Sequence, residues 1–289
     1  MTGDTVVRER FRIDSDGGAL LRGEIHEPAD VDPELPTLVL AHGWTLNRSV
    51  WERVITALQQ RLPVRVVAYD QRGHGESSAG STPASIGQLG DDLAMVLGYA
   101  APAGRVVLAG HSMGGMTILA YAARHPAEFT DRMRAAVLLG TAASNVRRPG
   151  LVGKVEMGVM NLAARGPRRP AGRLVSRRHG QHLNFGVDPD AGDVRALREA
   201  IAGTTIRDMG QYFQALRAMD ERAAFDVLAQ VPTTILVGTH DRLTPPPYAR
   251  EMHAGIAGSR LVEVDGAGHM LAYEATDVVV AELITALGR

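Results

Sequence analysis

The stretch Gly110-His111-Ser112-Met113-Gly114-Gly115 constrains the fold of this chain more than any other. It contains the pattern G-x-S-x-G, with the apolar run Val106-Val107-Leu108-Ala109 before it and the small-residue, helix-spaced run Met113–His125 after it. A serine on so short a strand-to-helix connection sits on a sharp, strained turn. The turn lifts its hydroxyl above the sheet edge and aims the helix N-terminus at the same place. A side chain at Gly110 or Gly114 would strike neighbouring backbone, which is why glycine flanks the turn. A glycine-rich strand–helix turn without chemistry fits the same letters, so Ser112 reads as a nucleophile only if the rest of the chain supplies partners.

The rest of the chain alternates short apolar runs with helical patterns. Residues 5–13 and 19–26 alternate polar and apolar around Asp16-Gly17-Gly18, which predicts a hairpin. Buried-strand candidates are Thr37–Ala41, Val64–Tyr69, Arg105–Ala109, Ala135–Leu139, Thr233–Val237 and Arg260–Val264. Helical patterns fall at Val50–Arg61, at Ala84–Ala100 with Pro83 in the position of a first-turn proline, at Met113–His125, and at Ala275–Leu287. This order predicts an α/β chain with a mostly parallel sheet flanked by helices on both faces.

A serine hydroxyl needs a base to take its proton. Ten histidines compete. His269, in Asp265-Gly266-Ala267-Gly268-His269-Met270, lies between the last strand and the last helix, where a glycine-rich loop delivers an imidazole over the sheet edge. His125 reads as a helix C-terminal residue, His179, His182 and His253 as surface residues, and His111 as a residue packed beneath the site. The imidazole needs a carboxylate to orient it and stabilise its cation. Asp241 directly follows a buried strand, at the C-terminal sheet edge where sites of open α/β folds lie. Asp265 is the alternative acid, and a plain turn role before Thr244-Pro245 is the bland reading of Asp241. Two backbone N–H donors are needed for an oxyanion hole. Met113, next after the serine, supplies one, and Trp44, in the loop His42-Gly43-Trp44-Thr45, is the candidate for the other, with His42 as a buttress.

Composition removes whole classes of function. There is no cysteine among the 289 residues, which excludes a thiolate nucleophile, a disulfide framework and a Cys-ligated metal. A formal net charge of −1 gives no reason to expect a nucleic-acid partner. The first 18 residues are too charged for a secretory segment, and no apolar run approaches a membrane span. The expectation is a soluble, cytoplasmic protein.

Between Ala142 and Gln230 the strand–helix alternation fails. Residues 142–230 are expected to form an inserted, mainly helical cap over a core made of 1–141 and 231–289. Within it, residues 147–180 are strongly basic: Arg147, Arg148, Lys154, Arg165, Arg168, Arg169, Arg173, Arg177 and Arg178 face only Glu156. One reading is a solvated surface. The sharper one is an apolar strip, Leu151, Val152, Val155, Val159, Met160 and Leu162, flanked by arginine, that makes peripheral contact with an anionic membrane or guides an acyl chain. Phe185 and Phe213, beside Asn184 and Tyr212, are the candidate substrate-pocket residues, together with Trp44 and Met113.

Five motifs in order resemble the alpha/beta-hydrolase superfamily: His42-Gly43-Trp44, the loop Asp70-Gln71-Arg72-Gly73-His74-Gly75-Glu76-Ser77, the elbow Gly110–Gly115, and the loops around Asp241 and His269. The resemblance covers nearly the whole chain outside the expected cap and implies an eight-stranded, mostly parallel sheet. His42-Gly43-Trp44 and the elbow are most similar to the esterase and cofactor-free haloperoxidase branch, whose members hydrolyse carboxylic esters or lactones, some making peracids. Lipases and thioesterases carry the same motifs. Epoxide hydrolases and haloalkane dehalogenases carry Asp at the elbow, so Ser112 argues against both. The resemblance implies ester hydrolysis of a small-molecule acyl substrate through Ser112, His269 and Asp241, without metal or organic cofactor. Asp70 and Glu76 are expected to order their loop. A thioesterase, lactonase or perhydrolase is the alternative within acyl transfer, and a lyase, cyclase or binding role the alternative outside it.

Overall fold

In the computed structural model, which describes residues 6–144, 146, 150–172 and 181–289, the alternating N-terminus folds as an antiparallel hairpin. Its strands are β1 (Val6–Ser15) and β2 (Ala19–Pro28). Six further strands follow: β3 (Thr37–Ala41), β4 (Val66–Asp70), β5 (Val106–His111), β6 (Met133–Leu139), β7 (Thr233–Gly238) and β8 (Arg260–Val264). They make one eight-stranded sheet in the order β1-β2-β4-β3-β5-β6-β7-β8. β2 joins β4 antiparallel, and every pairing from β4 to β8 is parallel.

The parallel strands are apolar on both faces because both faces are covered. On β5, Val106 and Leu108 face one core layer and Val107 and Ala109 the other. Helices α1 (Glu52–Gln59), α2 (Ile86–Ala100), α3 (Met113–Arg124) and α4 (Pro126–Arg132) alternate with the first strands. The segment between β6 and β7 holds α5 (Gly150–Ala163), α6 (Gln181–Asn184), α7 (Ala191–Gly203), α8 (Ile206–Ala218) and α9 (Phe225–Leu228). After β7 come α10 (Pro246–Gly255), α11 (Leu271–Glu274) and α12 (Thr276–Leu287). The layer of Leu93, Ile118, Phe129, Leu228 and Met252 gathers α2, α3, α4, α9 and α10, and that of Val54, Leu58, Leu271, Val280 and Leu283 gathers α1, α11 and α12. Each fully buried side chain of this size contributes about 1.5–3 kcal/mol.

Two local expectations are corrected. α2 starts at Ile86, because the Ser85 side chain accepts the Gln88 N–H and caps the helix there. Pro83 therefore lies outside the first turn. The pattern Met113–His125 ends one residue earlier, and Pro126 opens a separate short helix in the first-turn position open to proline. Between β6 and β7 the described residues contribute isolated bridges, Ser144 with Asp220 and Pro170 with Thr205, and no strand of the sheet.

Candidate active site

Ser112 sits at the junction of β5 and α3 with φ 53° and ψ −118°, a conformation that non-glycine residues rarely adopt. The strain is held by close backbone packing. A Cβ on Gly114 would lie 2.1 Å from the Ala41 carbonyl oxygen, and one on Gly110 would lie 2.5 Å from the backbone of Gly114. The Ser112 N–H donates to the Leu139 carbonyl at 2.8 Å, and the Thr141 hydroxyl donates to the Ser112 carbonyl at 2.7 Å. The half-buried serine faces a cavity of about 250 Å³ whose wall includes Trp44, Met116, Phe213, Leu243 and His269.

His269 and Asp241 meet at the same rim. His269 Nδ1 lies 2.8 Å from Asp241 Oδ2, and both side chains are buried. Asp241 Oδ1 accepts the N–H groups of Leu243 and Thr244 at 2.8 and 2.9 Å, and the Thr244 hydroxyl lies 2.9 Å from Oδ2. Burial pushes this carboxyl up, but the His269 charge and these hydrogen bonds outweigh it and hold Asp241 below the usual carboxylate range. Asp265 accepts from the Thr239 hydroxyl at 3.2 Å instead, on the exposed side of the loop. With Nδ1 engaged, Nε2 is the imidazole atom left to face the cavity. Ser112 Oγ makes no hydrogen bond to the described residues.

The His269 loop is clasped from outside the sheet. The Asn184 carbonyl accepts the N–H groups of His269 and Met270 at 2.8 and 3.1 Å. The half-buried Glu274 carboxylate accepts three more, from Gly186 at 2.6 Å, Gly268 at 3.0 Å and Met270 at 3.1 Å. Gly186 and Gly268 touch backbone to backbone, since a Cβ on Gly268 would lie 2.4 Å from the Gly186 nitrogen. His111 Nε2 lies 2.8 Å from the His269 carbonyl, which only accepts, so Nε2 carries the proton. Burial lowers the His111 pKa to about 3 and keeps it neutral. His111 thus lines the cavity and braces the His269 backbone, where it was expected beneath the site.

The loop carrying Trp44 rests on a second buried network. Gln71 donates its backbone N–H to His42 Nε2 at 2.9 Å and its side-chain amide to the His42 carbonyl. The Thr117 hydroxyl, on α3, donates to Gln71 Oε1 at 2.6 Å. His42 Nδ1 then donates to the Gly43 carbonyl at 2.8 Å. Burial lowers the His42 pKa to about 4. Thr45 has φ 62°, a strained value for a β-branched residue, and turns the chain so that the Trp44 ring borders the cavity. Neither Trp44 N–H nor Met113 N–H has an acceptor among the described residues. Asp70 orders the following loop, accepting the N–H groups of Arg48 and Glu76 at 2.7 and 2.9 Å and pairing with the Arg48 guanidinium, which also binds Glu76 at 3.1 Å.

The four expected pocket residues divide. Trp44 and Phe213 line the cavity, their rings 5.8 Å apart. Met113 is fully buried in the cluster that holds Met116 and Tyr212 and does not line the cavity. Phe185 does not line the cavity. It packs with Ala267, Met270 and Leu271, because the Gly186–Gly268 approach draws its backbone against the His269 loop, and its neighbours Leu183 and Asn184 reach the wall instead. Of the arginine cluster, Arg147, Arg148, Arg173, Arg177 and Arg178 lie outside the described residues, as does His179. On α5, Glu156 and Met160 line the cavity while Val155, Val159 and Leu162 are exposed on the outer side.

One potential metal cluster occurs among the described residues: Glu24, His26 and Glu52, with ligand atoms within 4.8 Å of one another. Its carboxylates already pair with Arg8, Arg10 and Arg48, so its charge is satisfied without an ion. No helix among the described residues is long and apolar enough to cross a membrane.

A parallel-centred sheet with a strained serine at its elbow, and an Asp–His pair on the loops after β7 and β8, defines the alpha/beta hydrolases as a class. Residues 36–276 match the family described as alpha/beta hydrolase fold, and the chain belongs to it. It is 30% identical over 243 residues to the AB hydrolase superfamily protein YisY of Bacillus subtilis, covering 82% of this chain and 86% of that one. It is also 30% identical over 258 residues to a pimeloyl-[acyl-carrier protein] methyl ester esterase of Aromatoleum aromaticum, covering 81% and 91%. The enol-lactonase structure from Burkholderia xenovorans superposes with a TM-score of 0.79 at 27% identity, over 96% of this chain and all of that one.

Proposed function

We propose that this hydrolase cleaves carboxylic esters through an acyl-enzyme on Ser112. The observation that carries the reading is the buried Asp241–His269 contact at 2.8 Å on the rim of the cavity that Ser112 faces. Asp241 fixes the tautomer with the proton on Nδ1, which leaves Nε2 as the base. As Ser112 Oγ attacks the carbonyl carbon, Nε2 takes its proton, and the carbonyl oxygen becomes an oxyanion held by the Trp44 and Met113 N–H groups. These donors are preorganised, so they need no reorientation as charge develops. Collapse breaks the ester C–O bond, and the leaving alkoxide takes the proton from Nε2. Water then attacks the acyl-enzyme, gives a proton to Nε2, and releases the acid as Oγ recovers that proton. Residues 142–230 serve as a cap that shapes the acyl site. The exposed apolar side of α5 supports peripheral contact with an anionic membrane, which vesicle co-sedimentation would test.

A panel of p-nitrophenyl esters tests the reading. The wild type is expected to turn them over, and Ser112→Ala and His269→Ala are each expected to lose several orders of magnitude in kcat. Turnover near wild type in either variant overturns the assignment.

A further inference from the structure

The wall of the Ser112 cavity is apolar over most of its extent, and among its lining residues two carry a carboxylate or guanidinium: Glu156 and Arg217. Glu156 has an interaction of its own. Arg217 lies on α8, half-buried, with its guanidinium carbon 5.8 Å from the centroid of the Phe213 ring. No carboxylate of the described residues pairs with it. Asp220, three residues further on, is held by Arg222 through two hydrogen bonds at 2.8 and 2.5 Å. The stretches of the β6–β7 segment outside the described residues, 145, 147–149 and 173–180, add five arginines and no Asp or Glu.

We propose that Arg217 selects an ester whose acyl chain ends in a carboxylate, that is, a monoester of an aliphatic dicarboxylic acid. The inference rests on the ester-hydrolase reading and names its substrate class. A guanidinium in an apolar wall penalises a purely hydrocarbon chain, which strips water from the charge and gives nothing back. A carboxylate matches the guanidinium fork with two charge-assisted hydrogen bonds. Trp44 and Arg217 both approach the Phe213 ring, Trp44 ring to ring at 5.8 Å and Arg217 with its guanidinium carbon 5.8 Å from the centroid, and all three line the cavity that Ser112 faces. With the ester carbonyl at Ser112 and the free carboxylate at Arg217, the methylenes between them lie against the apolar wall.

The test compares mono-p-nitrophenyl adipate with p-nitrophenyl hexanoate, in wild type, Arg217→Met and Arg217→Lys. The readout is the ratio of kcat/KM for the charged ester over the neutral one. The wild type is expected to favour the adipate, and Arg217→Met to lower the ratio by about tenfold to a hundredfold, mainly through KM. Arg217→Lys is expected to fall between, because an ammonium keeps the charge but not the fork. Raising the ionic strength is expected to lower the wild-type ratio and leave the Met variant's ratio flat. A ratio of one or less in wild type, or the same ratio in all three proteins, overturns the proposal while hexanoate turnover keeps the esterase reading intact. Failure of the wild type to hydrolyse either ester overturns both.

Discussion

Replacing Glu274 with glutamine removes a charge that three backbone N–H groups share. Two of them, from Gly186 and Gly268, converge on Oε2, and the third, from Met270, meets Oε1. An amide can keep its oxygen toward the first two only by turning its NH₂ toward Met270. One charge-assisted bond is then lost, at about 1.5–3 kcal/mol, and two weaken to neutral strength. Glu274 is half-buried, so water recovers part of the loss and the net cost is about 2 kcal/mol. For a chain of this size that lowers Tm by about 3 °C. Activity is expected to fall further than stability suggests, by roughly ten- to a hundredfold in kcat, because the clasp sets where the His269 imidazole sits. Thermal melts and p-nitrophenyl ester kinetics on the same sample give both numbers. Unchanged kcat in Glu274→Gln, with the Tm shift present, would show that the clasp only stabilises and that the positioning argument is wrong.

Gln71→Leu deletes the amide that holds the His42 carbonyl and the acceptor of the Thr117 hydroxyl. Its kcat is expected to fall about tenfold with little change in KM, and its affinity for a boronic-acid inhibitor to fall in step; a pure KM effect contradicts this. Arg72 and Asp92 form a buried pair at 2.6 Å, each 1% exposed. Asp92→Asn leaves a buried guanidinium uncompensated and is expected to cost about 3–5 kcal/mol by urea titration, so a shift under 1 kcal/mol refutes the account. Stability should also fall with acid. Burial holds His42 and His74 near 4 and His111 near 3, below the unfolded value of about 6.5. The unfolded chain therefore binds more protons below that point. The stability from keeping these rings neutral is complete above about pH 6.5 and is lost as pH falls toward 4, by up to about 1.4 kcal/mol per pH unit for each ring. A urea midpoint that stays level between pH 7 and 5 contradicts this.

The sheet was legible because its strands are written locally. Runs such as Thr37–Ala41 and Arg260–Val264 carry their own apolar pattern and fold with the expected bounds. The meeting of Ser112, Asp241 and His269 at one sheet edge was legible for a related reason, since each lies in a short loop just past a strand and the sheet edge brings such loops together. What escaped depends on contacts distant in sequence. Phe185 reads as a pocket aromatic, but the direction it faces is set by the meeting of Gly186 with Gly268. Glu274 reads as an ordinary acidic residue near a helix start. That position is a capping signal, and it was the available hint, yet its partner Gly186 lies in a segment without a clear pattern. Gln71 carries no hydrophobic signal and is nonetheless fully buried, and only a count of unpaired groups at the His42 loop would have called for it. The segment 142–230 stayed least legible because its described helices alternate with no strand of the sheet, and because α5 and α8 pack on each other through the close approach of Gly210 to the Met160 carbonyl, a contact between residues far apart in sequence.

The central claim is that Ser112 is a nucleophile activated by His269. Its most direct test is intact-protein and peptide mass spectrometry after treatment with a fluorophosphonate. The account predicts a single covalent adduct, mapped to Ser112, absent in Ser112→Ala and formed orders of magnitude more slowly in His269→Ala. No adduct on folded wild-type protein, or an adduct on Ser112 that forms equally fast without His269, would contradict it.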